Sequence, residues 1–230
     1  MSNAVQAAIE AAKNQGANAS QALAVQGDKP SAVAAYQSQA KKMTLADLDT
    51  GLNVDGFIQP KFEGLTLKMQ DDTLTKGSSI IEEVYVTLNP TADMQPFKGA
   101  KYGNKPTTYI KTFDSEKEAR GGSWEAALAK AKLADPKVYT YSGVDVEFKV
   151  AQDVKDVKGK VVAEAGTVLG HSSTPTGLKN IKKFLKAVEV AGLTEEDILV
   201  KITNEPRSAD GNNWGVLAFE LIGPAPEQAD

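Results

Sequence analysis

The sequence predicts an α+β protein whose sheet is mainly antiparallel. About seven segments show the two-residue alternation, or the β-branched and aromatic enrichment, that is typical of strands. Only two segments have a well-formed helical pattern. Strands and helices do not alternate along the chain, which argues against a doubly wound parallel sheet.

The predicted strands follow one another with turn residues between them. A strand-like segment at 57–62 leads into the first of them. We expect a loop rich in Gly, Lys and Pro at 96–106, a strand break at Ser142-Gly143, a turn at Gly166 inside the strand 160–169, and a tight left-handed turn within 208–213. The strands themselves are expected at 65–69, 80–88, 107–113, 138–150, 160–169, 198–203 and 214–222.

Two helices carry clear start and stop signals. Ser123 is a good N-cap for a helix over 124–134, which Asp135-Pro136 ends. Thr174 and Pro175 open the second helix and Gly192 closes it. The buried stripe of this second helix is expected to contain Leu178, Ile181, Leu185 and Val188, with Phe184 beside them.

Antiparallel strands with a helix inserted between strand pairs are compatible with a small Greek-key barrel of the OB type. A β-sandwich with the same number of strands would give the same pattern. We expect an OB-like Greek-key barrel with two inserted helices over residues 54–222. A weakly ordered, weakly helical N-terminal arm (1–53) precedes it, and a short disordered end (223–230) follows it.

Composition and charge restrict the chemistry. The net charge is -4, so the whole surface is not a phosphate binder, but a local basic groove remains possible. With no Cys and one His (His171), the chain lacks the usual zinc ligands, and we expect no cofactor. The first residues lack a secretory signal pattern, and no apolar run is long enough to span a bilayer. We therefore expect a cytoplasmic protein without a membrane partner.

One short string has the local form of an enzyme site. Asp145, Glu147 and Lys149 alternate on a predicted strand, as in metal-dependent nucleases whose carboxylates hold Mg²⁺. A solvent-exposed strand face is the simpler interpretation, and we expect no catalytic residue and no metal site. The opposite, buried face would then carry Val144, Val146, Phe148 and Val150.

The segment 97–120 interleaves basic and aromatic residues on a strand and its flanking loops. Such a pattern is typical of single-strand binding, because cations contact phosphates and rings stack on bases. Alternatively, Tyr109 and Phe113 belong to the core and the lysines form a solvated rim. Further aromatic candidates are Trp124, Trp214, Tyr139 and Tyr141. The candidate binding residues of the segment are Lys98, Lys101, Tyr102, Lys105, Tyr109, Lys111, Phe113 and Arg120.

The second predicted helix has a face with charges of a single sign. Lys179, Lys182, Lys183 and Lys186 lie opposite its apolar stripe, with no acid before Glu189. We include Lys179 and Lys183 among the candidate nucleic-acid contacts. A solvated helix face would show the same pattern.

Three strings resemble bacteriophage or mobile-element single-stranded DNA-binding proteins. They are residues 122–127, residues 166–172 leading into the lysine-rich helix, and residues 213–221. The resemblance implies an OB-fold core that binds single-stranded DNA without catalysis and largely without sequence preference. It also implies a role in DNA replication or recombination, in the host cytoplasm if the chain is phage-encoded.

This resemblance also bears on partners. Single-stranded DNA is the expected partner, with further copies of the chain or replication proteins as possible others. Members of this family often end in a strongly acidic tail, whereas this chain has only Glu227 and Asp230 there. The alternative is a virion structural or assembly protein with a strand-rich body and an Ala/Gln-rich arm. A metal-dependent nuclease ranks third.

Overall fold

The computed structural model describes residue 52 and residues 54–69, 79–103 and 107–226. Apart from Leu52, the expected N-terminal arm (1–53) lies outside the described residues. Lys105 and the last four residues also lie outside them.

The described part of the chain contains eleven strands and two helices. Helix α1 spans Trp124–Ala134 and helix α2 spans Gly177–Ala191. The strands are β1 (Gly56–Lys61), β2 (Gly64–Met69), β3 (Glu83–Leu88), β4 (Met94–Tyr102), β5 (Thr108–Thr112), β6 (Tyr139–Val150), β7 (Val154–Lys155), β8 (Val161–Ala163), β9 (Val168–Ser172), β10 (Ile198–Ala209) and β11 (Asn212–Pro224).

Nine of these strands form one sheet, which confirms the mainly antiparallel α+β class. Its main path runs β11-β10-β3-β6-β9-β1-β2, while β4 pairs with β6 and β5 pairs with β4. Among the described strands, only β1 and β9 run parallel to each other. The sheet is curled. Leu65 of β2, at the end of the strand path, exchanges backbone hydrogen bonds of 3.0 and 2.9 Å with Ile81, just ahead of β3. In the described part the ladders do not close into the expected barrel.

The core lies on one face of the curled sheet and is covered by α2. From β6, Val146 and Phe148 point into it, and they meet Ile181 and Val188 of the helix in one cluster of buried residues. Full burial of each such side chain contributes about 1.5–3 kcal/mol before entropic costs. A smaller cluster, centred on Ala131, packs α1 against β4 and β5.

Both predicted helices are confirmed. The hydroxyl of Ser123 accepts a hydrogen bond from the Ala126 N–H at 3.4 Å, as expected of an N-cap. Helix α2 begins two residues later than the Thr174-Pro175 signal suggests, and Gly192 ends it in a left-handed conformation (φ 73°). No helix in the described ranges is long and apolar enough to cross a membrane.

The expected loop at 96–106 is wrong over its first part, because β4 continues to Tyr102. Pairing with β5 on one side and β6 on the other satisfies its backbone groups, which outweighs the poor strand propensity of Pro96 and Gly99. The expected break at Ser142-Gly143 is also wrong. Strand β6 runs through it, and the Phe97 ring lies where a side chain at Gly143 would be, 2.3 Å from an ideal Cβ.

The turn expected at Gly166 is confirmed, and it divides the segment 160–169 into β8 and β9. Two further boundaries differ from expectation. Strands β10 and β11 are longer than expected. They are joined by a two-residue hairpin turn at Asp210 and Gly211, and both residues have positive φ angles. Strand β11 reaches Pro224, which lies inside the expected disordered end.

Candidate functional site

A cleft of about 560 Å³ opens beside strands β4, β5 and β6. One wall is the end of β9 with the residues that lead into α2. The opposite wall is β5 with the loop that follows it. The cleft is lined by Phe97, Lys101, Tyr109, Ile110, Lys111, Ala119, Arg120, Tyr139, Tyr141, Ser172, Ser173, Thr174 and Pro175.

The register of the three strands places an aromatic–cation–aromatic row across the cleft. Lys101 of β4 is paired with Tyr109 of β5 on one side and with Tyr139 of β6 on the other. Directly paired residues share a sheet face. In the next row on that face, Gly99 lies between Lys111 and Tyr141. The Tyr141 ring covers Gly99, because an ideal Cβ there would lie 2.7 Å from its Cζ atom.

Phe113, Phe97, Tyr141 and Tyr139 form a connected series of rings, and Tyr109 lies on the same sheet face. Tyr139 and Tyr141 stack with their centroids 6.2 Å apart, and Phe97 meets Tyr141 edge to face at 5.9 Å. Tyr109 and Tyr139 are 54% and 49% exposed. Tyr109 therefore lies outside the core, whereas Phe113 is half-buried and packs edge to face on Phe97.

The phenol of Tyr141 is held in its protonated form. Burial raises the pKa of Tyr141 above its usual value near 10, and the neighbouring Tyr109 and Asp145 raise it further. This hydroxyl therefore stays neutral over the physiological pH range.

Two cations stand at the mouth of the cleft. The Lys101 ammonium lies 5.4 Å from the centroid of the Tyr139 ring. Arg120 donates a hydrogen bond to the Tyr109 carbonyl, and its side chain is 62% exposed, 3.7 Å from Glu118. The loop after β5 folds back to place Arg120 there, since the Ala119 N–H donates to the Lys111 carbonyl at 2.8 Å.

The floor of the cleft contains a buried carboxylate. Asp145 is fully buried, and it accepts hydrogen bonds from the Lys111 ammonium and from the Ser172 hydroxyl, both at 2.5 Å. The Lys111 ammonium also lies 5.3 Å from the ring centroids of both Phe97 and Phe113. These contacts fix Lys111 and Ser172 in place and compensate the lysine charge.

The wall that leads into α2 is fixed by hydroxyl contacts. The Ser173 hydroxyl accepts from the Val144 N–H at 2.8 Å, and the Thr174 hydroxyl accepts from the Gly177 N–H at 3.2 Å. His171, next to this wall, is buried, and its Nδ1–H donates to the Ile58 carbonyl at 3.2 Å. Burial lowers the pKa of His171 to about 4, so the ring is neutral.

The structure brings together only part of the predicted set. Four of its members, Lys101, Tyr109, Lys111 and Arg120, line the cleft. Lys98 and Phe113 line a separate groove of about 320 Å³ between α2 and the sheet. Tyr102 packs with the cluster beneath α1. Lys179 and Lys183 are exposed on α2 and line neither cavity, and Lys105 lies outside the described residues.

The solvent-exposed face expected for Asp145, Glu147 and Lys149 is confirmed for Lys149, which is exposed, but wrong for Asp145, which is fully buried, while Glu147 is half-buried. The Asp145 carboxylate is paired where it is buried, because β5 brings Lys111 to one of its oxygens and β9 brings Ser172 to the other. Within the described ranges, no group of three or more His, Cys, Asp or Glu side chains is placed to hold a metal ion.

The charge of the cleft differs from that of the whole chain. The sequence has 30 acidic residues and a net charge of -4, yet among the described residues no Asp or Glu lines the cleft, while two lysines and one arginine do. The carboxylate of Asp145 lies beneath this lining, paired to Lys111. The open surface of the cleft is therefore aromatic and cationic.

No protein-family model, curated protein or solved structure matches this chain.

Proposed function

We propose that this protein binds single-stranded DNA, without catalysis and largely without sequence preference. The observation that carries the proposal is the row of Tyr109, Lys101 and Tyr139 across a cleft whose described lining contains three cations and no Asp or Glu. Accessible rings stack on bases for about 1–3 kcal/mol per base, and neighbouring cations contact the phosphates. A strand lying along this row meets both kinds of group at once.

The same groups account for tolerance of sequence. Every base has an aromatic face, so stacking on Tyr109 or Tyr139 does not select among bases. Lys101 and Arg120 contact only the phosphates, which all sequences share. Because such contacts release counterions, the affinity should fall as salt rises.

The proposal includes a biological setting. We place the protein in DNA replication or recombination, in the cytoplasm, with other copies of the chain or replication proteins as further partners. The OB-like Greek-key assignment belongs to the proposal too, in the form of an open, curled sheet instead of a closed barrel.

A titration of fluorescent oligo-dT about 30 nucleotides long tests the function. We expect tight binding at low salt, weaker binding at moderate salt, poor competition by matched duplex, and an intact strand after incubation with Mg²⁺. No binding at low salt would refute the proposal and favour an assembly protein, which would form ordered oligomers without DNA. Strand cleavage would instead favour a nuclease.

A further inference from the structure

The floor of the cleft presents a hydrogen-bond donor and an acceptor side by side. The Lys111 ammonium has three N–H donors and gives one to Asp145. The Ser172 hydroxyl donates its only proton to the other oxygen of Asp145, so its lone pairs remain to accept. Both residues line the cleft.

Buried groups beneath the cleft floor hold the Lys111 ammonium and the Ser172 hydroxyl in position. One fully buried carboxylate holds both groups at 2.5 Å, and the rings of Phe97 and Phe113 flank the ammonium. Lys111 is 22% exposed, so its ammonium is reachable but has little freedom to move. A donor and an acceptor held in this way, below aromatic walls, are typical of a site that orients a flat heterocycle.

The Watson–Crick edge of a nucleobase is the matching ligand. Each of the four bases carries a donor and an acceptor in adjacent positions on that edge, so each can meet Ser172 and Lys111 in some orientation. In a duplex these edges are already paired, whereas in a single strand they are open to protein groups. A floor of this kind selects for unpaired bases without selecting strongly among them.

We propose that Lys111 and Ser172 read the unpaired Watson–Crick edge of one base in the cleft. In thymine, N3–H donates to the Ser172 hydroxyl and a flanking carbonyl accepts from Lys111. The inference rests on the proposed function, and it adds a reason why single strands are preferred to duplex. Asp145 touches no base and acts as a positioning residue.

The experiment compares oligo-dT with the same strand built from N3-methylthymine. The methyl group removes the N3–H donor but leaves the ring face and the phosphates. We expect the wild-type protein to bind the methylated strand at least ~5-fold more weakly, as the loss of one hydrogen bond of about 1 kcal/mol implies. Ser172→Ala should bind both strands alike, whereas Ser172→Thr, which keeps the hydroxyl, should retain the preference.

Ser142→Ala is the matched control, because Ser142 is also an exposed serine but does not line the cleft. It should discriminate between the strands as the wild type does. Equal wild-type affinity for the two strands would overturn the edge-reading inference, even if Ser172→Ala failed to fold. That result would not contradict the proposed function. The proposed function is refuted only if neither strand binds at low salt.

Discussion

The Lys111 ammonium and the Asp145 carboxylate form an ion pair of 2.5 Å at the base of the cleft, with Asp145 fully buried. The pair joins β5 to β6, and through the Ser172 hydroxyl it also reaches β9. Because its charge is compensated there, Lys111 is a fixed structural cation. At the cleft mouth, Lys101 and Arg120 are the cations that we expect to contact phosphates, since the Arg120 side chain is 62% exposed even though it lies 3.7 Å from Glu118.

Replacing Asp145 with Asn should destabilise the fold. The change leaves the Lys111 charge without its partner in a mostly buried place, and removing one member of a buried pair costs about 3–5 kcal/mol. Since Lys111 keeps some contact with water, we expect a cost of about 3 kcal/mol. Urea unfolding of the variant and the wild type measures this difference directly.

The double variant Lys111→Met, Asp145→Leu is the matched control for this prediction. Replacing both partners with apolar groups of similar size is often close to neutral, so it should recover much of the lost stability. If Asp145→Asn unfolds at the same urea concentration as the wild type, the pair does not hold the three strands together.

The salt dependence of DNA binding should distinguish the cations at the cleft mouth from an exposed lysine outside the cleft. Lys101→Ala and Arg120→Ala should each reduce the slope of log affinity against log salt by about 0.7, because each removes one phosphate contact to a single strand. Lys183→Ala makes the same change of charge at an exposed site outside the cleft, and it should leave the slope unchanged. If Lys101→Ala and Arg120→Ala leave the slope as it is in the wild type, the phosphates do not lie along the cleft mouth.

The two exposed tyrosines should contribute through their rings. Tyr109→Ala and Tyr139→Ala should each weaken oligo-dT binding by about 1–3 kcal/mol, since each removes a stacking surface. Tyr109→Phe and Tyr139→Phe keep the ring and should bind nearly as the wild type does. Fluorescence anisotropy titrations measure these affinities. If the Phe variants lose binding, the tyrosines contact DNA through their hydroxyl groups and not by stacking of their rings.

Acid should destabilise the protein through His171. Its pKa is about 4 in the folded state against 6.5 for a free side chain, so the unfolded state takes up the proton first as pH falls. Stability is therefore complete above pH 6.5 and declines between pH 6.5 and 4, by at most about 3 kcal/mol. His171→Gln should flatten this range in urea unfolding series. If His171→Gln loses as much stability between pH 6.5 and 4 as the wild type, groups other than His171 cause the loss.

Local signals in the sequence were sufficient for the helices and most strands. Ser123 and Gly192 mark helix ends through their own backbone chemistry, and the alternation around Phe148 reflects a face buried along its whole length. Strand β4 could not be found in this way. Its pairing with β5 and β6 is a long-range effect, and residues such as Gly99 serve that pairing by admitting the Tyr141 ring.

The candidate site was predictable only in part for the same reason. The interleaved pattern at 97–120 indicated Lys101, Tyr109 and Arg120, but not that Lys98 and Tyr102 would face away from the cleft. Asp145 and Ser172 are 27 residues apart, and only the pairing of β6 with β9 brings them together. Nothing in the local sequence around Ser172 indicates this contact.

The most direct test of the account is whether oligo-dT binds in this cleft. The triple variant Lys101→Ala, Tyr109→Ala, Tyr139→Ala removes the row while leaving the Lys111–Asp145 pair, so it should fold as the wild type does. We expect wild-type binding at low salt and an affinity at least ~30-fold lower in the variant, from two lost stacking contacts. A folded triple variant that binds oligo-dT as tightly as the wild type would contradict the account.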